Sequence, residues 1–113
     1  PSLLMTWAYK DKPEMTEGLA SAYITAGNRN GIMVFPVGLA FQKSQMDNPE
    51  IELFTPDKRH PSKAGTYLMA AVVYASIYKV SPIGNSYDYG LAQDIQSRLQ
   101  ETAWETLSYY KSN

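Results

Sequence analysis

Two short runs with almost no polar residue, Leu3-Leu4-Met5-Thr6-Trp7 and Ile32-Met33-Val34-Phe35, constrain this chain more than any other feature. A strand that is apolar on both sides of its pleat needs cover on both faces, the pattern of a parallel sheet. The stretch between the runs supplies a crossover. Asp11 reads as an N-cap, with Pro13 and Glu14 in the first helical turn. Met15, Leu19, Ala22, Tyr23 and Ala26 then recur at helical spacing, and Gly27-Asn28 and Gly31 supply the stop. Strand, helix, strand in this order makes a right-handed parallel unit. Two or three such strands do not form a stable sheet by themselves. Part of the sheet is therefore expected from elsewhere: a missing N-terminal segment, a second chain, or a swapped copy of this one. The chain opens at Pro1 and meets its first apolar run almost at once, which reads as a cut inside a domain.

Beyond the second run, Pro36 ends a ladder and Gly38 allows a tight or close-packed backbone. Leu39, Ala40 and Phe41 begin a short helix or turn, expected to dissolve into a polar loop over 45–49. Ile51-Glu52-Leu53-Phe54 reads as a short strand or as loop residues packed on the core. Ser62 is a good N-cap for a helix over 63–78. That helix is apolar nearly all round and so belongs in a core or an interface. Ser81-Pro82-Ile83-Gly84-Asn85 is a turn, and a last helix is predicted over 89–110.

At 113 residues, with 44% hydrophobic and 19% charged, the chain suits one globular domain or part of one. A net charge of -1, with ten scattered Lys and Arg, gives no footprint for nucleic acid or an anionic membrane. The longest apolar run, 68–77, is far short of the roughly 20 residues a membrane span needs. No signal-peptide pattern opens the chain. The absence of cysteine excludes disulfides, zinc-thiolate sites and a cysteine nucleophile, and leaves cytosol and periplasm equally open.

The chemistry concentrates in Thr55-Pro56-Asp57-Lys58-Arg59-His60-Pro61-Ser62. Asp57 lies three residues before the sole histidine, His60. In a loop, that spacing lets the carboxylate fold back to the imidazole Nδ1, fix its tautomer and stabilise the imidazolium. Nε2 then faces a nucleophile as general base. Pro56 and Pro61 restrict the backbone on either side. The plainer readings are a surface histidine and an aspartate that caps the following helix. A metal site fits poorly, because one His without Cys leaves only carboxylates as co-ligands.

The block Asp57-Lys58-Arg59-His60-Pro61-Ser62-Lys63-Ala64-Gly65-Thr66-Tyr67-Leu68-Met69-Ala70-Ala71 resembles the last conserved block of SGNH (GDSL-type) hydrolases, D-x-x-H-P-S-x-x-G-T-Y-L-x-A. The run from Leu4 to Ala8, the Pro36-Val37-Gly38 turn with its strand, and the turn from Ser81 to Gly84 are similar to that family as well. The resemblance implies that residues 1–113 are the C-terminal portion of one SGNH hydrolase-like domain. The fold it implies is α/β: a partial three-layer α/β/α, flavodoxin-like arrangement of parallel strands, with the N-terminal half of the sheet missing. It also implies that Asp57 and His60 are the second and third members of a Ser-Asp-His triad, with no cofactor and no metal. The family's nucleophile and oxyanion-hole blocks are absent, and they precede the point where this chain begins.

No serine here stands in a nucleophile turn. Ser62, beside the histidine, is better explained as the helix cap. The chain alone is therefore expected to be inactive, and the whole protein to hydrolyse an acyl or acetyl ester of a small molecule or carbohydrate. The alternative is a non-catalytic α/β module, structural or binding, completed by a partner or by self-association. Nine Tyr and two Trp are read mainly as packing residues, with Trp7 a candidate to line a pocket in the sheet crevice. Lys58 and Arg59 read as solvated loop charges, with attraction of an anionic substrate the less common role.

Overall fold

The two apolar runs do pair, but over three residues each. In the structure, a computed structural model that describes residues 1–112, β1 (Ser2–Leu4) and β2 (Met33–Phe35) run parallel, with Leu3 opposite Val34. Between them lies α1 (Met15–Asn30), and after them α2 (Val37–Asp47), α3 (Lys63–Tyr78) and α4 (Gln93–Ser112).

The expected three-layer, flavodoxin-like α/β sandwich is not what this chain forms. The described residues are 56% helical, with four helices and one two-stranded sheet among them. The physical reason lies just past Leu4. The Met5 carbonyl accepts the Gly38 N–H at 3.2 Å, so the first turn of α2 docks where a longer ladder would run. An alanine Cβ at Gly38 would stand 2.1 Å from the Thr6 carbonyl oxygen, so only glycine permits this approach. The main core then forms largely among helices. Val37, Ala40 and Phe41 of α2, Leu68 and Val72 of α3, and Leu99 and Ala103 of α4 are all buried there, with Leu53 and Phe54 from the intervening loop. The Cα radius of gyration is 13.3 Å. That is close to the ~13 Å of a compact chain of 100 residues, so the helices close on their own core.

Gly90, just ahead of α4, lies beside Lys63 at the start of α3, while Lys111 meets Lys79 at the far end. The two helices therefore run parallel, and the segment between them returns along α3. Gln100 holds that segment down. Its amide accepts from the Gly84 N–H at 3.0 Å and donates to the Asn85 carbonyl and the Tyr67 hydroxyl.

Several expected boundaries moved. α2 extends through the polar stretch expected as loop, because Gln42, Lys43, Gln45 and Met46 are good helix formers on its outer side. α1 begins at Met15, not near Asp11, and Glu14 at its N-cap makes no side-chain cap bond. α4 begins at Gln93 because Tyr89 and Gly90 are both left-handed, at φ 52° and 77°. α3 matches 63–78, and Ser62 caps it by accepting the Gly65 N–H at 3.2 Å. Yet α3 is not enclosed: Ala70, Ile77 and Tyr78 are exposed. Nor are the strands buried on both faces. Leu3 and Leu4 are only half-buried, and Met33 is exposed.

Candidate active site: the Asp57–His60 hairpin

Residues 53–62 fold back on themselves as a small hairpin. The Thr55 N–H donates to the His60 carbonyl at 2.9 Å and the Ser62 N–H to the Leu53 carbonyl at 2.8 Å, with an antiparallel bridge between Phe54 and Pro61. The tip is a β-turn closed by the Lys58 N–H on the Thr55 carbonyl, 2.9 Å. Pro56 occupies the position where a fixed φ favours such a turn. Lys58 follows in the left-handed region, φ 64°, where a non-glycine residue is strained. Gly65 lets α3 start hard against the hairpin, since a Cβ there would sit 2.3 Å from the Leu53 carbonyl oxygen.

Asp57 and His60, singled out from their spacing, are brought together at this tip. One carboxylate oxygen of Asp57, Oδ1, accepts the Thr55 hydroxyl at 2.7 Å, the Arg59 N–H at 2.9 Å and the His60 N–H at 3.0 Å. The other, Oδ2, meets the His60 Nδ1 directly. The His60 amide, then its ring, then the Arg59 amide and the Thr55 hydroxyl hold the Asp57 carboxyl well below the usual carboxylate range. With Asp57 ionised, Nδ1 is the protonated nitrogen of a neutral imidazole and Nε2 the basic one. The His60 side chain is 78% exposed, and Nε2 makes no hydrogen bond with any described residue.

A carboxyl whose pKa is lowered on folding adds stability above its unfolded value, and loses it as pH falls through the folded one. The Asp57 bonds should therefore persist through mildly acid pH and fail only below the ordinary carboxylate range. Amide NMR of Arg59 and His60 checks this. A titration midpoint inside the ordinary range would contradict the bonds described.

The loop from Met5 to Glu14 grips the hairpin, a feature sequence reasoning missed. Trp7 does not line a crevice. It stacks on Phe41 at 4.9 Å between centroids, and its indole N–H donates to the Arg59 carbonyl at 2.8 Å. The Arg59 guanidinium lies 4.6 Å above the Tyr9 ring centroid. The Lys10 N–H donates to the Lys58 carbonyl at 2.9 Å, while its ammonium pairs with Glu52, whose carboxyl is lowered chiefly by that bond. The one available signal was an indole at the end of an apolar run, which needs a partner for its N–H.

No family model matches this chain, and neither does any curated protein or solved structure. Chemical inference thus rests on the side chains. Ser62 is excluded as a nucleophile, since its Oγ donates to the Glu52 carbonyl at 2.7 Å and caps α3. Among the described residues no group of three or more His, Asp or Glu gathers to hold a metal ion, and no helix is long and apolar enough to cross a membrane. Cavities of about 810, 420 and 240 Å³ are lined by other residues. The Asp57–His60 pair stands on the open surface. Such a pair can take a proton from an incoming hydroxyl at Nε2 and return it to a leaving group.

Proposed function

We propose that this chain carries the aspartate and histidine of a Ser-His-Asp ester hydrolase of the SGNH type, the serine lying on polypeptide outside these 113 residues. The observation that carries the reading is the Asp57–Nδ1 hydrogen bond combined with an outward, unpartnered Nε2 on an exposed ring. The resemblance of the Asp57 to Ala71 block to that family's last motif supports the same roles. Asp57 orients and stabilises the imidazolium, and His60 moves the proton. The missing serine attacks an acyl or acetyl ester, and the acyl-enzyme is then hydrolysed.

The half-exposed β1 and the thinly covered apolar side of α1 suit docking of the polypeptide that brings the serine. Only Thr16 and Gly27 of α1 are buried, although Leu19, Tyr23 and Ala26 share its apolar side. The second reading is a non-catalytic module, favoured by the three bonds Asp57 Oδ1 makes within its own hairpin.

A fluorophosphonate probe separates the two. Incubated with the protein purified from its source, the probe should attach to one serine outside these residues, and peptide mass mapping should locate it. Absence of labelling on any serine would leave the module reading standing.

A further inference from the structure

The geometry points to Trp7 as a positioning residue for His60, gripping the Arg59–His60 peptide unit whose other end is held by Asp57. The inference rests on the hydrolase reading above and adds to it a device that sets the imidazole. The peptide between Arg59 and His60 is held at both ends. Its carbonyl accepts the Trp7 indole N–H at 2.8 Å, and its N–H donates to Asp57 Oδ1 at 3.0 Å. A donor on the carbonyl polarises the amide and strengthens its N–H as a donor in turn. Trp7 therefore acts through the peptide on the carboxylate, and so on the Nδ1 hydrogen bond.

The indole is itself anchored. It stacks on Phe41, which is 1% exposed, and Phe41 meets Phe54 edge-on at 5.7 Å. Phe54 lies at the base of the hairpin, bridged to Pro61 next to His60. A column of three rings thus runs from the core to the backbone of His60, with the indole N–H as its polar end. Packing alone would be served as well by phenylalanine, and the N–H is what phenylalanine lacks.

His60 is the only histidine, so its ¹⁵N imidazole resonances report the site without overlap. In the unmutated protein above neutral pH, the Nδ1–H tautomer should dominate. Trp7→Phe keeps an aromatic ring on Phe41 and removes the donor. It should lower the ratio of Nδ1–H to Nε2–H by up to about twofold, the share of one hydrogen bond that polarisation through the peptide passes on. Asp57→Ala should collapse the ratio. If Asp57→Ala changes nothing, the Asp–His pairing and the hydrolase reading fall together. If Asp57→Ala acts while a folded Trp7→Phe leaves the ratio unchanged, only the Trp7 inference is overturned. Should Trp7→Phe not fold, hydrogen exchange of the Trp7 indole proton in the unmutated protein decides. Slow exchange supports the bond to Arg59, and exchange as fast as a free indole refutes it.

Discussion

Gly38→Ala is expected to destabilise the protein by about 3 kcal/mol, the upper part of the range for forcing an extra methyl into a packed site. The added Cβ would meet the Thr6 carbonyl oxygen at 2.1 Å and the Met5 Cε at 2.9 Å. The nearer neighbour is backbone, so it cannot swing aside as a long side chain would. Either α2 lifts off the end of β1 or the Thr6 peptide rotates, and both break the 3.2 Å bond from the Gly38 N–H to the Met5 carbonyl. Thermal unfolding followed by circular dichroism should show a fall in Tm on the order of 10 °C or more. Gly18→Ala is the contrasting case. Gly18 lies within α1 with nothing within 4 Å of an added Cβ, so alanine there should raise stability by about 0.5–1 kcal/mol. Equal effects at the two positions would show that the close approach at Gly38 is not real. The strain at Gly38 also reaches the site, because Thr6 precedes Trp7, whose ring lies on Phe41 of α2.

Residues 63–78 were legible because nearly every local signal agreed. Pro61 halts the chain, Ser62 caps, and sixteen residues follow, with Gly65 in the first turn their one breaker signal, until Lys79 turns left-handed, φ 57°. The parallel pairing of the two apolar runs was legible too, from their doubly apolar pattern. Their length was not. Met5 to Trp7 look like strand because they are mostly apolar, but that side-chain character is spent on α2 and the hairpin. The start of α2, expected at Leu39 and found at Val37, was misplaced for the opposite reason. Pro36 and Gly38 look like breakers, yet Pro36 serves as its N-cap residue and Gly38 as a contact point. The layered sheet failed as an expectation because periodicity says that a run will be covered, not by what. Here the strands lie against α1 and α3, and the end of the first run, Met5 and Trp7, lies against α2.

At the site, the Asp57–His60 spacing was enough to place the two side chains together, since three residues in a proline-bracketed turn leave few other arrangements. The grip of the Met5 to Glu14 loop was not legible. It joins residues 52 apart through a backbone carbonyl, which has no side-chain signature.

Asp57→Asn is expected to leave the hairpin nearly intact while lowering the rate of fluorophosphonate labelling by about 10⁴-fold, the loss typical when a triad carboxylate becomes an amide. The asymmetry follows from the two oxygens of Asp57. The amide oxygen of asparagine can still accept from the Arg59 and His60 N–H groups and from the Thr55 hydroxyl, the three bonds now made by Oδ1. In place of Oδ2 stands an NH₂ group, which cannot accept the proton on the His60 Nδ1. The imidazole is then driven to the opposite tautomer, with its proton on Nε2, and cannot take a proton from the serine. His60→Ala should cost at least as much, by removing the base outright. Ser62→Ala, by contrast, should cost about 1 kcal/mol of stability for a lost helix cap and leave labelling of the folded protein in place. Labelling rates come from quenched time courses, and hairpin integrity from the Arg59 and His60 amide resonances. A non-catalytic hairpin would tolerate Asp57→Asn in both measurements. Loss of labelling with the amide resonances unmoved is the outcome that only a base and its orienting carboxylate produce.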